Sequence, residues 1–114
     1  MKKIEAYIRD NKFEEVKNAL IKAGVSGISS YEVIGRGSQV GNQMDDSEAG
    51  KITEEELVPK RKIEIFCIPE ELDKILETIM TRANTGNVGD GKIFVSDISE
   101  VIKIRTQQRV KHQA

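Results

Sequence analysis

Residues Lys2 to Arg9 alternate, with Ile4, Ala6 and Ile8 on one side and Lys3, Glu5, Tyr7 and Arg9 on the other. A period of two marks a half-buried strand. The period then lengthens, and Phe13, Val16, Ala19, Leu20 and Ala23 fall on one helical face. Asp10 or Asn11 is placed to cap the start of this helix, and Gly24 to close its end. Ile28 to Ile34 alternates again, with Ser29, Tyr31 and Val33 opposing Ile28, Ser30, Glu32 and Ile34, although its apolar side is less distinct. From Arg36 to Val58 no period survives; the stretch holds Gly37, Gly41, Gly50 and several acids, and Pro59 follows it. A structureless loop of this length in a small domain is usually functional or disordered.

The second half repeats the first. Lys60 to Ile68 reads as a strand, Pro69 stands at a helix start, and Leu72, Ile75, Leu76, Ile79, Met80 and Ala83 form an apolar stripe. Gly86 ends it, and Lys92 to Ser96 reads as the next strand. One constant offset lays Ile4 on Ile63, Tyr7 on Phe66, Phe13 on Leu72, Val16 on Ile75 and Leu20 on Ile79. Two strand-helix-strand copies predict an α+β, ferredoxin-like domain: a four-stranded antiparallel sheet with both helices on one face. Val101 to Arg105 adds a short strand with Lys103 and Arg105 on one side. The other sheet face, with Tyr7, Ile28, Phe66 and Phe94 as its candidates, is too apolar to stay wet, which predicts closed oligomerisation.

With 114 residues, the chain makes one domain. Its net charge of −1 gives no basic excess for nucleic acid or an anionic membrane. No apolar run is long enough to span a membrane, and the N-terminus lacks the apolar core of a signal peptide, so a cytoplasmic location is the default expectation. Cys67, the single cysteine, shares the Ile63 and Ile65 face and reads as a buried structural thiol. His112, the single histidine, lies in a polar tail, 106–114, expected to be flexible. No Cys/His cluster suggests zinc, and no Ser/His/Asp set suggests a hydrolase.

The chemistry concentrates in Thr85-Gly86-Asn87-Val88-Gly89-Asp90-Gly91-Lys92. Glycines allow φ > 0 and bring backbone N–H groups close to an anion, and Lys92 adds a point charge. The same segment also reads as a plain helix-to-strand turn, with Gly86 as helix cap and Gly91 as a bulge. Three further groups could converge with it on a polyphosphate: Lys60, the pair Lys103 and Arg105, and the root Gly35-Arg36-Gly37-Ser38-Gln39. Each has a plainer reading as well, as charges that blunt a strand end or as a solvated face.

Met1 to Ala6, Glu32 to Gly41, Pro59-Lys60 with Lys62 to Ile65, Thr85 to Val95, and Val101 to Thr106 together resemble the PII nitrogen-regulatory signalling proteins. The resemblance implies a homotrimer with ATP or ADP in each intersubunit cleft, Mg2+ accompanying ATP, and 2-oxoglutarate as effector. It identifies residues 36–58 as the T-loop that docks on target proteins and 85–92 as the phosphate-binding loop. Carried over motif by motif, Gly35, Gly37, Ser38, Gln39, Lys60, Gly89, Asp90, Gly91, Lys92, Lys103 and Arg105 surround the phosphates. Gly27, Ile28, Ser29, Glu64 and Phe66 hold adenine and ribose. Arg9, Gln39, Val40, Gly41 and Lys60 meet 2-oxoglutarate, and Gln39 reaches the metal. Lys103 stands where the family usually has arginine, which keeps the charge and loses the bidentate fork.

The departures lie in the T-loop. It has no tyrosine, so tyrosyl modification is excluded there, and the arginine with which relatives plug ammonium channels is absent. Ser47 is a candidate phosphorylation site and also an ordinary polar loop residue. The expected targets are an ammonium transporter, a nitrogen-metabolism enzyme or another transporter, with recruitment to a membrane protein and no direct insertion. Two alternatives stand beside this expectation: a divergent adenylate sensor that ignores 2-oxoglutarate, and a small ATPase or acyltransferase on the same scaffold.

Overall fold

A computed structural model describes residues 1–33 and 59–111. The elements run β1 (Lys2–Arg9), α1 (Phe13–Lys22), β2 (Ile28–Val33), β3 (Lys60–Cys67), α2 (Leu72–Ala83), β4 (Lys92–Asp97), β5 (Glu100–Ile102) and β6 (Arg109–Lys111). The first four strands make one antiparallel sheet in the order β2-β3-β1-β4. This is the ferredoxin-like α+β arrangement expected from the repeat. Each helix follows a 3-10 turn, Asp10–Lys12 in the first copy and Pro69–Glu71 in the second, so the offset between halves extends to the turns.

The core is the layer between sheet and helices. Ile4, Ala6 and Ile8 of β1 and Ile63, Ile65 and Cys67 of β3 meet Val16 and Leu20 of α1 and Ile75, Ile79 and Ala83 of α2. The matched pairs Val16/Ile75 and Leu20/Ile79 are all buried. Cys67 is buried as expected, and loss of solvation pushes its thiol pKa up.

Gly24 closes α1 as expected. At φ +96 its N–H donates to the Ile21 carbonyl, and Val25 N–H donates back to Leu20, the paired bonds of a Schellman end. The expected cap at the other end is absent. No side chain caps the Asp10–Lys12 turn or α1, and Asp10 Oδ1 instead accepts from Arg61 Nε at 2.8 Å. A cationic partner on β3 outcompetes neutral backbone donors for that carboxylate.

The uncovered sheet face differs from expectation in two ways. Ile28 pairs with Ile65 and packs on the helix side, so it leaves that face, and Tyr31, opposite Lys62, joins it. The centre of the face is ionic. Lys62 bridges Glu5 at 2.9 Å and Glu64 at 3.1 Å, and Lys3 lies 3.8 Å from Glu5 and 3.9 Å from Glu64. Aromatic rings frame these charges. Lys62 Nζ sits 5.8 Å from the centroids of both Tyr7 and Tyr31, Lys3 Nζ sits 6.0 Å from that of Phe66, and Tyr7 meets Phe94 edge-on at 5.9 Å. The hydrogen bond from Lys62 holds the Glu5 carboxyl below its ordinary pKa and outweighs burial.

The expected strand Val101–Arg105 stops at Ile102. The chain turns over the next residues, with Lys103 N–H bonded to the Gln108 carbonyl at 2.9 Å and Gln107 at φ +59. Arg109–Lys111, within the stretch expected to be a flexible tail, pairs back as β6. Lys103 and Arg105 therefore lie in a hairpin turn and share no strand face. The alternation of Ile102 with Ile104 suggested a strand, yet Ile104 is 93% exposed and nothing apolar rewards its extension.

Candidate functional site

The glycine-rich segment joins the end of α2 to the start of β4. The residue before it, Asn84, is extended (φ −75, ψ 124) and caps the helix, so Gly86 is not the cap. The Asn84 Oδ1 accepts the Gly86 N–H at 2.7 Å, a local turn that starts the loop. Gly86, Gly89 and Gly91 all have positive φ, at +82, +100 and +106. Gly91 has a second constraint, because a Cβ there would sit 1.7 Å from the Tyr7 carbonyl oxygen. It is a point of close approach between loop and β1, and no bulge is needed to explain it.

The loop closes on its own carboxylate. Asp90 Oδ2 accepts the N–H groups of Thr85 at 2.7 Å and Gly86 at 3.0 Å, and Oδ1 accepts the Thr85 hydroxyl and Arg9 Nε, the latter at 3.1 Å. Burial pushes the Asp90 carboxyl up, and the bonds from Thr85, Arg9 and Gly86 overcome this and hold it well below the usual carboxylate range.

Two cations on neighbouring strand ends hold the outer loop. Arg9 and Lys60 are paired across β1 and β3. Arg9 Nη2 donates to the Val88 carbonyl at 2.8 Å, and Lys60 Nζ donates to the Gly89 carbonyl. Lys60 is only 7% exposed. Loss of solvation, with Arg9 adding repulsion, lowers its pKa against the pull of Asp90. Its reading as a charge that merely blunts a strand end does not survive this burial. Beside the loop opens a groove of about 420 Å³ with an apolar floor that includes Ile8, Ile79 and Ala83 and a polar rim of Asn84, Asp90 and Lys92.

The structure thus brings together Arg9, Lys60, Gly89, Asp90, Gly91 and Lys92. Glu64 and Phe66 lie further along β3, with Ile28 and Ser29 at the matching end of β2 next to Gly27. From Lys60 to Phe66 this is about 20 Å at the ~3.3 Å rise of a strand. Glu64 stands within the ionic network, opposite Ser29, and Phe66 is 55% exposed. Lys103 and Arg105 sit in the hairpin of the second, two-stranded sheet. Gly35, Gly37, Ser38, Gln39, Val40 and Gly41 lie outside the described residues, as do the 36–58 loop and Ser47. Among the described residues, no cluster of three or more His, Cys, Asp or Glu could hold a metal, and no helix is long and apolar enough to cross a membrane.

The family model of nitrogen regulatory protein P-II matches residues 1–108. The chain belongs to the P-II family. Among its relatives is nitrogen regulatory protein P-II 2 of Methanothermobacter thermautotrophicus, 49% identical over 97% of this chain and 95% of that protein. The P-II proteins of Cyanidium caldarium, 46% identical over 94% of this chain and 93% of theirs, and of Nostoc punctiforme, 42% identical over 96% of both, are similar to it over the same span. For this P-II chain, sequence reasoning missed Thr85, which anchors the loop by backbone and hydroxyl, and the carbonyls of Tyr7, Val88 and Gly89. A Thr placed five residues before an Asp in a glycine-rich run is a signal that could have found the first.

Proposed function

We propose that this P-II protein is a homotrimeric sensor that binds ATP or ADP between subunits. In this reading it is a regulator without physiological turnover. The Thr85–Lys92 loop, held by Lys60 and Arg9 at one sheet end, carries the proposal. Its positive-φ glycines leave backbone close to a ligand, and an anion beside the desolvated Lys60 ammonium offsets the cost of its burial. A site shared between subunits is supported by the distance between the two groups of candidate residues. The phosphate group and the adenine group lie at opposite ends of β3, so one chain offers each site only half its ligands and a neighbour supplies the rest. Lys103 and Arg105, on a hairpin outside the main sheet, are placed to serve a neighbouring site.

Magnesium enters with ATP, and Gln39 is its proposed protein ligand. 2-Oxoglutarate is the proposed effector, at Arg9, Gln39, Val40, Gly41 and Lys60. Nucleotide and effector select among states of the 36–58 loop through their differential affinity for them. The loop then reports to a cytoplasmic enzyme or to a transporter at the membrane. Titration calorimetry with Mg–ATP and ADP, each with and without 2-oxoglutarate, tests this. Saturable nucleotide binding that 2-oxoglutarate strengthens for Mg–ATP is expected, and no binding of either nucleotide at millimolar concentration overturns the proposal.

One observation favours a second reading, an adenylate sensor that ignores 2-oxoglutarate. Arg9, the proposed effector arginine, already bonds Asp90 and Val88. Nucleotide binding that 2-oxoglutarate leaves unchanged selects this reading.

A further inference from the structure

The two peptide units that follow Val88 and Gly89 have a fixed orientation. The Val88 carbonyl accepts from Arg9 and the Gly89 carbonyl from Lys60, so both carbonyls turn toward the ends of β1 and β3. There are no cis peptides among the described residues. In a trans unit the N–H opposes the C=O. The N–H groups of Gly89 and Asp90 therefore turn away from those cations, toward the outer side of the loop. Two successive N–H groups on one side form an anion nest. The Asp90 carboxylate cannot itself serve an anion. Its bonds run inward, to Thr85, Gly86 and Arg9.

We propose that Asp90 is the positioning residue of the phosphate site: by gathering Thr85, Gly86 and Arg9, it sets the outward N–H groups of Gly89 and Asp90 before a ligand arrives. This rests on the nucleotide reading above and gives the Asp90 carboxylate a role distinct from touching the nucleotide, which falls to the Asp90 backbone N–H. Arg9 serves the same end, because its guanidinium spans Asp90 and Val88 with two different nitrogens, which lysine cannot do. An acid next to a polyphosphate site is unfavourable unless its charge is already engaged, and here it is engaged by a guanidinium and three neutral donors.

The test uses the full chain with ADP as ligand, read by calorimetry and by backbone amide shifts. In the wild type, ADP is expected to move the Gly89 and Asp90 amides strongly. Asp90→Asn keeps the shape of the side chain and exchanges one acceptor oxygen for a donor. It is expected to weaken ADP about tenfold or more and to abolish the Gly89 shift. Thr85→Val and Thr85→Ser guard against a folding defect at Asp90. The serine variant retains wild-type affinity and the valine variant loses several-fold. ADP affinity in Asp90→Asn within about twofold of wild type overturns the proposal, as do Gly89 and Asp90 amides that stay still when the wild type binds ADP. If the wild type binds no ADP at all, the nucleotide reading falls and takes this proposal with it.

Discussion

Gly86 and Gly91 share a positive φ and differ in what surrounds them. Nothing lies within 4 Å of a Cβ at Gly86, whereas one at Gly91 would meet the Tyr7 carbonyl at 1.7 Å. Alanine at Gly86 is therefore expected to cost about 1–2 kcal/mol of left-handed strain. At Gly91 it must also displace β1 backbone, and about 3 kcal/mol or more is expected. Urea unfolding of both variants checks the ordering, and equal losses contradict it. Asp90 adds a pH dependence. Its folded pKa lies below the unfolded value of about 3.9, so its stabilisation is complete above that value and drains as pH falls through the folded one. Asp90→Asn is expected to lose about 2 kcal/mol at neutral pH and far less near pH 2, relative to wild type. Melting temperatures from pH 7 down to about 2 test this, and a constant difference across the range contradicts it.

At the scale of elements, the repeat decides what burial is worth. Leu20 and Ile79 occupy matched positions and both are 0% exposed, whereas Met80, the next residue along, is 54% exposed. Leu20→Ala and Ile79→Ala are each expected to cost about 2–5 kcal/mol, and Met80→Ala less than about 1. Thermal or urea unfolding distinguishes them. The elements could be read from sequence where one side of a period was plainly apolar, as in Ile4-Ala6-Ile8 or Ile75-Ile79-Ala83. Reading failed where the partner decided the outcome. β2 has too few apolar residues to declare its own inner side, and the side Ile28 takes follows from pairing with Ile65 on β3. Asp10 had the composition of a cap, but Arg61, fifty-one residues later, claimed it. Within the site, the glycines and Lys60 were legible as chemistry. The carbonyl acceptors of Val88 and Gly89, and the Tyr7 carbonyl that Gly91 packs against, were not, because every residue has a carbonyl and only the fold aims it. Element ends are wired in the same way: Lys60 binds Gly89 and adjoins Pro59, whose carbonyl accepts the Asp10 N–H at 3.0 Å.

For the whole molecule, the proposed assembly is assigned to the uncovered sheet face. Its central charges balance, two lysines against two glutamates, each partly shielded and framed by rings. Burying such a face against copies of itself is tolerable only while those pairs stay closed. Lys62→Glu places a third carboxylate between Glu5 and Glu64 and is expected to leave the chain monomeric, whereas Lys62→Met removes one charge and weakens assembly less. Light scattering after size exclusion reports both, and a trimeric Lys62→Glu variant contradicts the assignment of this face to the interface. The central claim joins assembly to ligand: each nucleotide site is built by two chains around the Thr85–Lys92 loop. Native mass spectrometry of the wild-type chain with ADP or Mg–ATP reads both at once. A trimer retaining up to one nucleotide per chain, with none held by the Lys62→Glu monomer, is the predicted result; nucleotide held equally well by monomers, or by no species at millimolar ligand, would contradict it.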